Sequence, residues 1–403
     1  MGAGRRSMGR RRACPVDGRR AWAAWRRRAA GAAVATAFLL LAALAAAAAQ
    51  APPAAAGVVG NAAGRYDTLL LRDLGGKTAA LVQMVAEDGR YRPVEVWRSG
   101  AGGFDVARAR FVAADVDGNG IADGVALYDL GGGRSRLYVW LSDGAQARKR
   151  TAWTSAAGAF AWSRARLAVG DTDRDGRDDL LCLYDRGEGA AALYRFRSTG
   201  SAFRLATLWK APAGTFYVDR AQLAAGDCNG DGRDDAVVLY RRTTTSSRLY
   251  VFVVGSRAAT KKTFWSGSYA AARARLAAGD VDSDGKADAV CLYRKADASG
   301  RLDVFRSSGV AFRRATWYDD PARPLPWKAC RLAAGDVTGD GRTDAVLLYV
   351  TSDDLTAGLL VAASTGAGFA PSPWWDDVWR WGSLRLGVAP SPGTVVAEGV
   401  TVM

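Results

Sequence analysis

Histidine is absent from this chain of 403 residues, and glutamate occurs only as Glu87, Glu95, Glu188 and Glu398. The first absence removes Ser-His-Asp and Cys-His triads, histidine-ligated zinc and imidazole acid–base chemistry. Cysteine is scarce too: Cys14 lies near the amino terminus, and Cys182, Cys228, Cys291 and Cys330 form no CxxC pair and no zinc-ligand spacing. Cys182 and Cys291 occupy the same position of two repeats, inside apolar strands, and fit the role of small buried hydrophobes. A disulfide among the four stays open. Beyond residue 56 every apolar stretch is short and interrupted by charge, so none is a membrane span. The nearest approach to a phosphate loop, Gly75-Gly76-Lys77-Thr78, lacks the upstream glycine and reads as a hairpin turn.

The formal charge of +15 is unevenly placed. Residues 1–50 hold ten Arg and one Asp, leaving 45 basic groups against 39 acidic ones in the rest. A basic groove for tracking phosphates is not indicated, and no nucleic-acid partner is expected. Arg-rich residues 1–28, the apolar run Ala29–Ala49 and the small residues and prolines after it read as an export leader over 1–56, cleaved after Ala49 or Ala56. An extracellular location follows. The alternative is an uncleaved anchor, since the run is long enough to cross a bilayer, and only then would the chain sit at a membrane.

Residues 57–403 are dominated by self-similarity. Five segments align without gaps, at Asp115–Asp123, Asp171–Asp179, Asp227–Asp235, Asp280–Asp288 and Asp336–Asp344, with starts 56, 56, 53 and 56 residues apart. Each precedes an apolar strand ending in Leu-Tyr and follows a strand of the type Arg166–Gly170 or Arg275–Gly279. In the third unit, strands are expected near 220–226, 235–241, 247–254 and 260–266. A tryptophan marks each fourth strand: Trp97, Trp153, Trp209, Trp265, Trp317 and Trp375. Four strands at this period describe one blade of an all-β propeller. Six fourth strands predict six blades, with seven as the alternative. The amino-terminal unit lacks a first strand, and Ser383-Leu384-Arg385-Leu386-Gly387 resembles the missing piece. Pairing of the two termini would close the ring and remove an exposed edge.

The five loops carry the chemistry. Side-chain oxygens at positions 1, 3, 5 and 9 and a backbone carbonyl at 7 suit a hard cation such as Ca²⁺, which takes six to eight oxygens. The first set is Asp115, Asp117, Asn119, Ile121 and Asp123, and the second is Asp171, Asp173, Asp175, Arg177 and Asp179. The third is Asp227, Asn229, Asp231, Arg233 and Asp235; the fourth is Asp280, Asp282, Asp284, Lys286 and Asp288. The fifth is Asp336, Thr338, Asp340, Arg342 and Asp344, the weakest on this reading because Thr338 is neutral. Glycine at position 6 of all five allows a sharp reversal. Asp/Gly-rich segments also occur as plain solvated turns, but five copies at fixed phase point to metal. An EF-hand is excluded because position 12 is apolar in every copy and the flank is a strand.

These loops, with the turns Ser198–Phe203, Ser307–Phe312 and Ser364–Phe369, resemble the FG-GAP/VCBS repeats of integrin α-subunit propellers and of many secreted microbial proteins. The resemblance spans roughly residues 60–390 and implies a calcium ion in one hairpin loop per blade, bracing the blade rather than doing chemistry. The amino-terminal unit lacks the carboxylates, so one blade is expected to be metal-free.

A non-catalytic adhesion or recognition module follows as the functional expectation, acting as a monomer on an extracellular protein or glycan. A secreted carbohydrate-active enzyme, a lyase or a carboxylate-pair hydrolase, is the alternative. The recurring Trp and Tyr suggest either sugar-stacking platforms or filling between blades, and the second is the simpler. Arg110, Arg166, Arg275, Arg331 and Arg385, with Gln222 as the exception, recur five residues before each loop. They would either line a channel for acidic glycans or pair within the structure.

Overall fold

The computed structural model describes residues 68–350, 356–380 and 383–388. The leader, Gly64–Asp67 and the carboxyl-terminal stretch from 389 lie outside the described residues. The described residues open with β1 (Thr68–Gly75), β2 (Thr78–Glu87) and β3 (Arg90–Arg98), three strands of blade 1. Blade 2 is β4 (Ala109–Ala114), β5 (Asp123–Gly131), β6 (Arg134–Ser142) and β7 (Ala147–Thr154). Blade 3 is β8 (Ala165–Gly170), β9 (Asp179–Gly187), β10 (Ala190–Ser198) and β11 (Phe203–Ala211). Blade 4 is β12 (Ala221–Gly226), β13 (Asp235–Arg241), β14 (Ser246–Val254) and β15 (Ala259–Ser268). Blade 5 is β16 (Ala274–Gly279), β17 (Asp288–Arg294), β18 (Gly300–Ser307) and β19 (Phe312–Tyr318). Blade 6 is β20 (Cys330–Gly335), β21 (Asp344–Val350), β22 (Thr356–Ser364) and β23 (Phe369–Arg380).

The last strand, β24 (Leu384–Val388), returns to pair antiparallel with β1, Leu71 opposite Arg385 and Thr68 opposite Val388. Blade 1 is therefore assembled from both termini, and six four-stranded sheets close into a propeller. Its first strand comes from the carboxyl end, as the sequence motif at 383–387 predicts.

Composition follows position in the blade. First strands are short and rich in Ala and Gly, as at β12 and β16, because they crowd round the axis next to one another. Second strands are buried on both faces and read as unbroken apolar runs, such as Ala236–Leu239. Fourth strands, at the rim, expose most of their length, as β15 and β19 do. Arg148, Arg150, Lys262 and Arg313 are exposed there, where charge protects an outer edge from pairing with another chain.

A register shift between third and fourth strands recurs in every blade, opening one residue past the pairs Leu81–Trp97, Leu137–Trp153, Leu193–Trp209, Leu249–Trp265 and Leu359–Trp375. In blade 5 Trp317 lies in the fourth strand, as expected, but its pairing differs from that of the other tryptophans. There Tyr318 pairs with Leu302 and Trp317 is the bulged residue. Position 318 lies as far beyond its loop start, 38 residues, as Trp153, Trp209 and Trp265 do, so the bulge keeps its place and the tryptophan stands one residue earlier.

The tryptophans fill the spaces between blades. Trp97 meets Phe104 and Trp140 edge-on, Trp153 meets Phe160 and Phe196, and Trp209 meets Phe216 and Phe252. Centroid separations of 4.8 to 6.2 Å and steep interplanar angles are those of favourable quadrupole contacts. Lys149 and Lys261 cap two of these clusters, 4.8 Å from Tyr138 and 5.0 Å from Tyr250. Aromatic repetition thus reflects blade-to-blade packing. Cys182, Cys228, Cys291 and Cys330 are all buried.

Candidate metal centre

Each Asp loop joins the first to the second strand of its blade, so all five open on the same face of the ring. The position-1 aspartate organises the turn. Asp115 accepts from the backbone N–H of Gly118, Asn119 and Gly120 at 2.8 to 3.1 Å, and Asp336 accepts from Gly339, Asp340 and Gly341 in the same way. Asp171, Asp227 and Asp280 repeat the pattern. The position-6 glycines of the first two loops sit at φ of 79° and 77°, where a Cβ would be strained.

The position-9 aspartates lie at the first residue of the second strand and are fully or almost fully buried. One oxygen of each accepts from the backbone N–H that ends the third strand, Ser142, Ser198, Val254, Ser307 or Ser364, at 2.7 to 2.8 Å. Burial pushes the carboxyls of Asp123, Asp235 and Asp288 up to about 8, that of Asp179 to about 7 and that of Asp344 to about 6.

Among the described residues, three loops draw carboxylates together. One oxygen each from Asp115, Asp117 and Asp123 lie within 4.8 Å of one another, as do those of Asp171, Asp173 and Asp175, and of Asp280, Asp282 and Asp288. An ion held at about 2.4 Å from each ligand spans about 4.8 Å between opposite ones, so the spacing fits a calcium-sized cation. Among the described residues, four buried oxygens at positions 3 and 9 have neither a hydrogen-bond nor an ion-pair partner: Asp173 Oδ1, Asp282 Oδ1, Asp235 Oδ2 and Asp288 Oδ2. A buried acceptor left without a donor is costly, and a hard cation would satisfy it. The residues present therefore fit a metal.

The two loops with four aspartates do not converge all four. In the second, Asp179 accepts from Thr172 Oγ1 and stands apart, while Arg197 pairs with both Asp173 and Asp175 and Arg177 pairs with Asp175 at 2.6 Å. In the fourth, Arg306 pairs with Asp282 at 2.6 Å and Lys286 with Asp284 at 3.4 Å. Position 3 of the first loop, Asp117, has Leu141 where these loops have Arg197 and Arg306 at the end of the third strand. Competing cations thus meet the loops richest in charge. Sequence reading missed this because Arg197 and Arg306 lie on the third strand, well beyond the loop along the chain.

The loops are also tied to one another. The backbone N–H at position 8 of one loop donates to the position-1 carbonyl of the loop before it: Asp178 to Asp115, Asp234 to Asp171, Ala287 to Asp227 and Thr343 to Asp280, at 2.7 to 2.9 Å. Serine hydroxyls add a second latch, from Ser198 to the Val116 carbonyl, Ser307 to Cys228 and Ser364 to Val281, each at 2.6 Å. Asp178 and Asp234 are buried at these seams, and burial holds both carboxyls well above the usual range. Gly170 admits Asp234, since a Cβ there would lie 2.7 Å from the Asp234 Cβ.

The recurring arginines bind the first strands to their neighbours. Arg110 donates to the Trp162 carbonyl and Arg166 to that of Val218, both at 3.1 Å, and Arg331 donates to Leu384 at 2.8 Å. Gln222 does the same work with an amide, donating to Ala271 and Ala274 and accepting from Leu276.

Residues 115–182, 171–238 and 280–347 each match the FG-GAP-like repeat. No curated protein sequence matches the chain. Among solved structures it is similar to a fucose-specific lectin from Aleuria aurantia, at 13% identity over 76% of this chain and 94% of that one, TM-score 0.44. It is similar to AofleA from Arthrobotrys oligospora at 10% identity over 81% and 90%, TM-score 0.46. An apocarotenoid oxygenase of Synechocystis is similar at 9% identity over 80% and 70%, TM-score 0.36. Such distant similarity assigns neither a ligand nor an activity. No helix among the described residues is long and apolar enough to cross a membrane.

Proposed function

We propose that this chain, a six-bladed β-propeller carrying FG-GAP-like repeats, is a secreted, non-catalytic recognition module whose loops hold Ca²⁺. The observation that carries the reading is the set of buried loop oxygens without partners, at Asp173, Asp282, Asp235 and Asp288. Calcium would supply positive charge and oxygen coordination at the point where carboxylates are gathered and desolvated. The residues that would hold it are the position 1, 3, 5 and 9 side chains, with Asp115, Asp117 and Asp123 the set least opposed by neighbouring cations.

What this chain's own residues do is mechanical. Position-1 aspartates fold each turn, position-9 aspartates pin the third strand to the second, and position-8 amides and seam serines couple each loop to the next. Ordering one loop therefore orders its neighbour. The raised carboxyls are engaged in backbone contacts at strand starts rather than set in a cleft as an acid–base pair, which supports a binding role over catalysis. Export is supported by the Arg-rich start and the apolar run at 29–49, and millimolar extracellular calcium would load weak sites.

The test is the melting temperature of the purified chain in millimolar calcium, in magnesium and in excess chelator. A rise in calcium well beyond that in magnesium is expected. Equal melting in all three would remove calcium from this account.

A further inference from the structure

A cavity of about 670 Å³ lies at the opposite end of the first strands from the Asp loops, among the amino-terminal ends of β12, β16 and β20. First strands of six residues put it about 20 Å from the loops. Its wall holds Arg166, Arg220, Arg241, Arg275, Arg294 and Lys328 against a single carboxylate, Asp219, which is exposed. We infer that this cavity binds a small organic polyanion presenting two or more oxyanion groups, and that it is the recognition site of the module proposed above, on which this inference rests.

The charge is built by a substitution internal to the repeat. The residue after each Leu-Tyr is Asp129 in blade 2 and Asp185 in blade 3, but Arg241 in blade 4 and Arg294 in blade 5. In blade 2 that aspartate faces the arginine ending the preceding 3-10 turn, Arg108, at 3.7 Å. In blades 4 and 5 the corresponding turns end in Arg220 and Arg273, which lie over the rings of Tyr217 and Tyr293, and the residue after Leu-Tyr offers them no carboxylate. Two counter-ions are thus exchanged for two cations on one side of the ring.

Arg275 gives the second observation. Its guanidinium lies 4.6 Å over the Trp327 ring, and its buried Nε has no hydrogen-bond partner. Burial lowers its pKa, and it also lowers that of Arg331, to about 9, with Arg385 and Arg275 pushing the same way. Packing like charges into partial burial is unfavourable unless an anion joins them. The volume falls in the range of small-molecule sites, and arginine forks suit carboxylate, sulfate and phosphate oxygens alike.

The experiment is calorimetric titration of the full chain, loaded with calcium, with a sulfated heparin disaccharide, digalacturonate and inorganic pyrophosphate in separate arms. At least one should bind and weaken at high salt, and the arm that binds identifies the oxyanion. Arg294→Glu, at an exposed position, should weaken that binding at least about tenfold with melting unchanged, while Arg294→Lys keeps most of it. Arg275→Gln should weaken it similarly. No binding in any arm up to about 10 mM, or equal binding by wild type and Arg294→Glu, overturns the inference. Calcium-dependent melting without anion binding would overturn it alone; anion binding without a calcium response would sink the loop reading instead.

Discussion

Replacing Asp288 by asparagine should stabilise the metal-free fold and remove the stabilisation that calcium adds. In the native structure Asp288 Oδ1 accepts from the Ser307 N–H at 2.7 Å and Oδ2 has no partner. Burial, with the charges of Asp282, Asp284 and Asp280 added, raises the carboxyl from 3.8 to about 8. The folded-state value lies above the unfolded one, so the contribution is fully present below about pH 4 and is lost as pH rises towards 8. At about 1.4 kcal/mol per unit, keeping this group in the metal-free fold at neutral pH costs on the order of 4 kcal/mol. Asparagine retains the Oδ1 acceptor and does not ionise, but it leaves an amide to desolvate at about 1–3 kcal/mol. A net gain of about 1–3 kcal/mol is expected in chelator. In calcium at ten to a hundred times the dissociation constant, the variant forfeits about 1.4–2.7 kcal/mol of ligand stabilisation. Thermal melting near neutral pH should show the variant above wild type in chelator, with most of the calcium-induced rise gone. A loss of equal size in both conditions would refute the reasoning and make Asp288 a plain strand-pinning residue.

Metal-free protein should lose melting temperature steadily from pH 5 to pH 8, because Asp123, Asp235 and Asp288 are all raised to about 8, and calcium should flatten that slope. Ser307→Ala removes the 2.6 Å bond to the Cys228 carbonyl and should cost about 1–2 kcal/mol by denaturant titration. Gly170→Ala forces a Cβ against Asp234 and should cost at least about 2 kcal/mol, with melting recovered in part by Asp234→Gly. Deleting residues 383–403 removes β24 and bares the edge of β1, so size-exclusion chromatography should show aggregation in place of a single folded species.

Blade count, strand order and terminal closure were legible in the sequence because each rests on a period. The spacing of the Asp loops, the unbroken apolar second strands and the first-strand motif at Leu384–Leu386 each recur or complete a recurrence. Third-unit strands expected at 220–226, 235–241, 247–254 and 260–266 appear at 221–226, 235–241, 246–254 and 259–268. Trp317 lies in the fourth strand, as its recurrence implies, but one residue short of the paired position, a slip that composition alone does not register.

Chain order alone therefore determined an all-β ring of repeated blades with acidic loops on one face, since local hydrophobic period and turn chemistry act within a few residues of one another. Tertiary structure decided what those loops meet. Arg197 and Arg306 reach Asp173 and Asp282 from the ends of their third strands, and Ser198 reaches Val116 across a blade boundary 82 residues away. Arg166, Arg241, Arg275 and Arg294 become one cavity wall only when three first strands stand side by side. Electrostatic and hydrogen-bond partners are set by distance in space, and folding brings together groups that stand tens of residues apart along the chain, beyond the reach of local pattern.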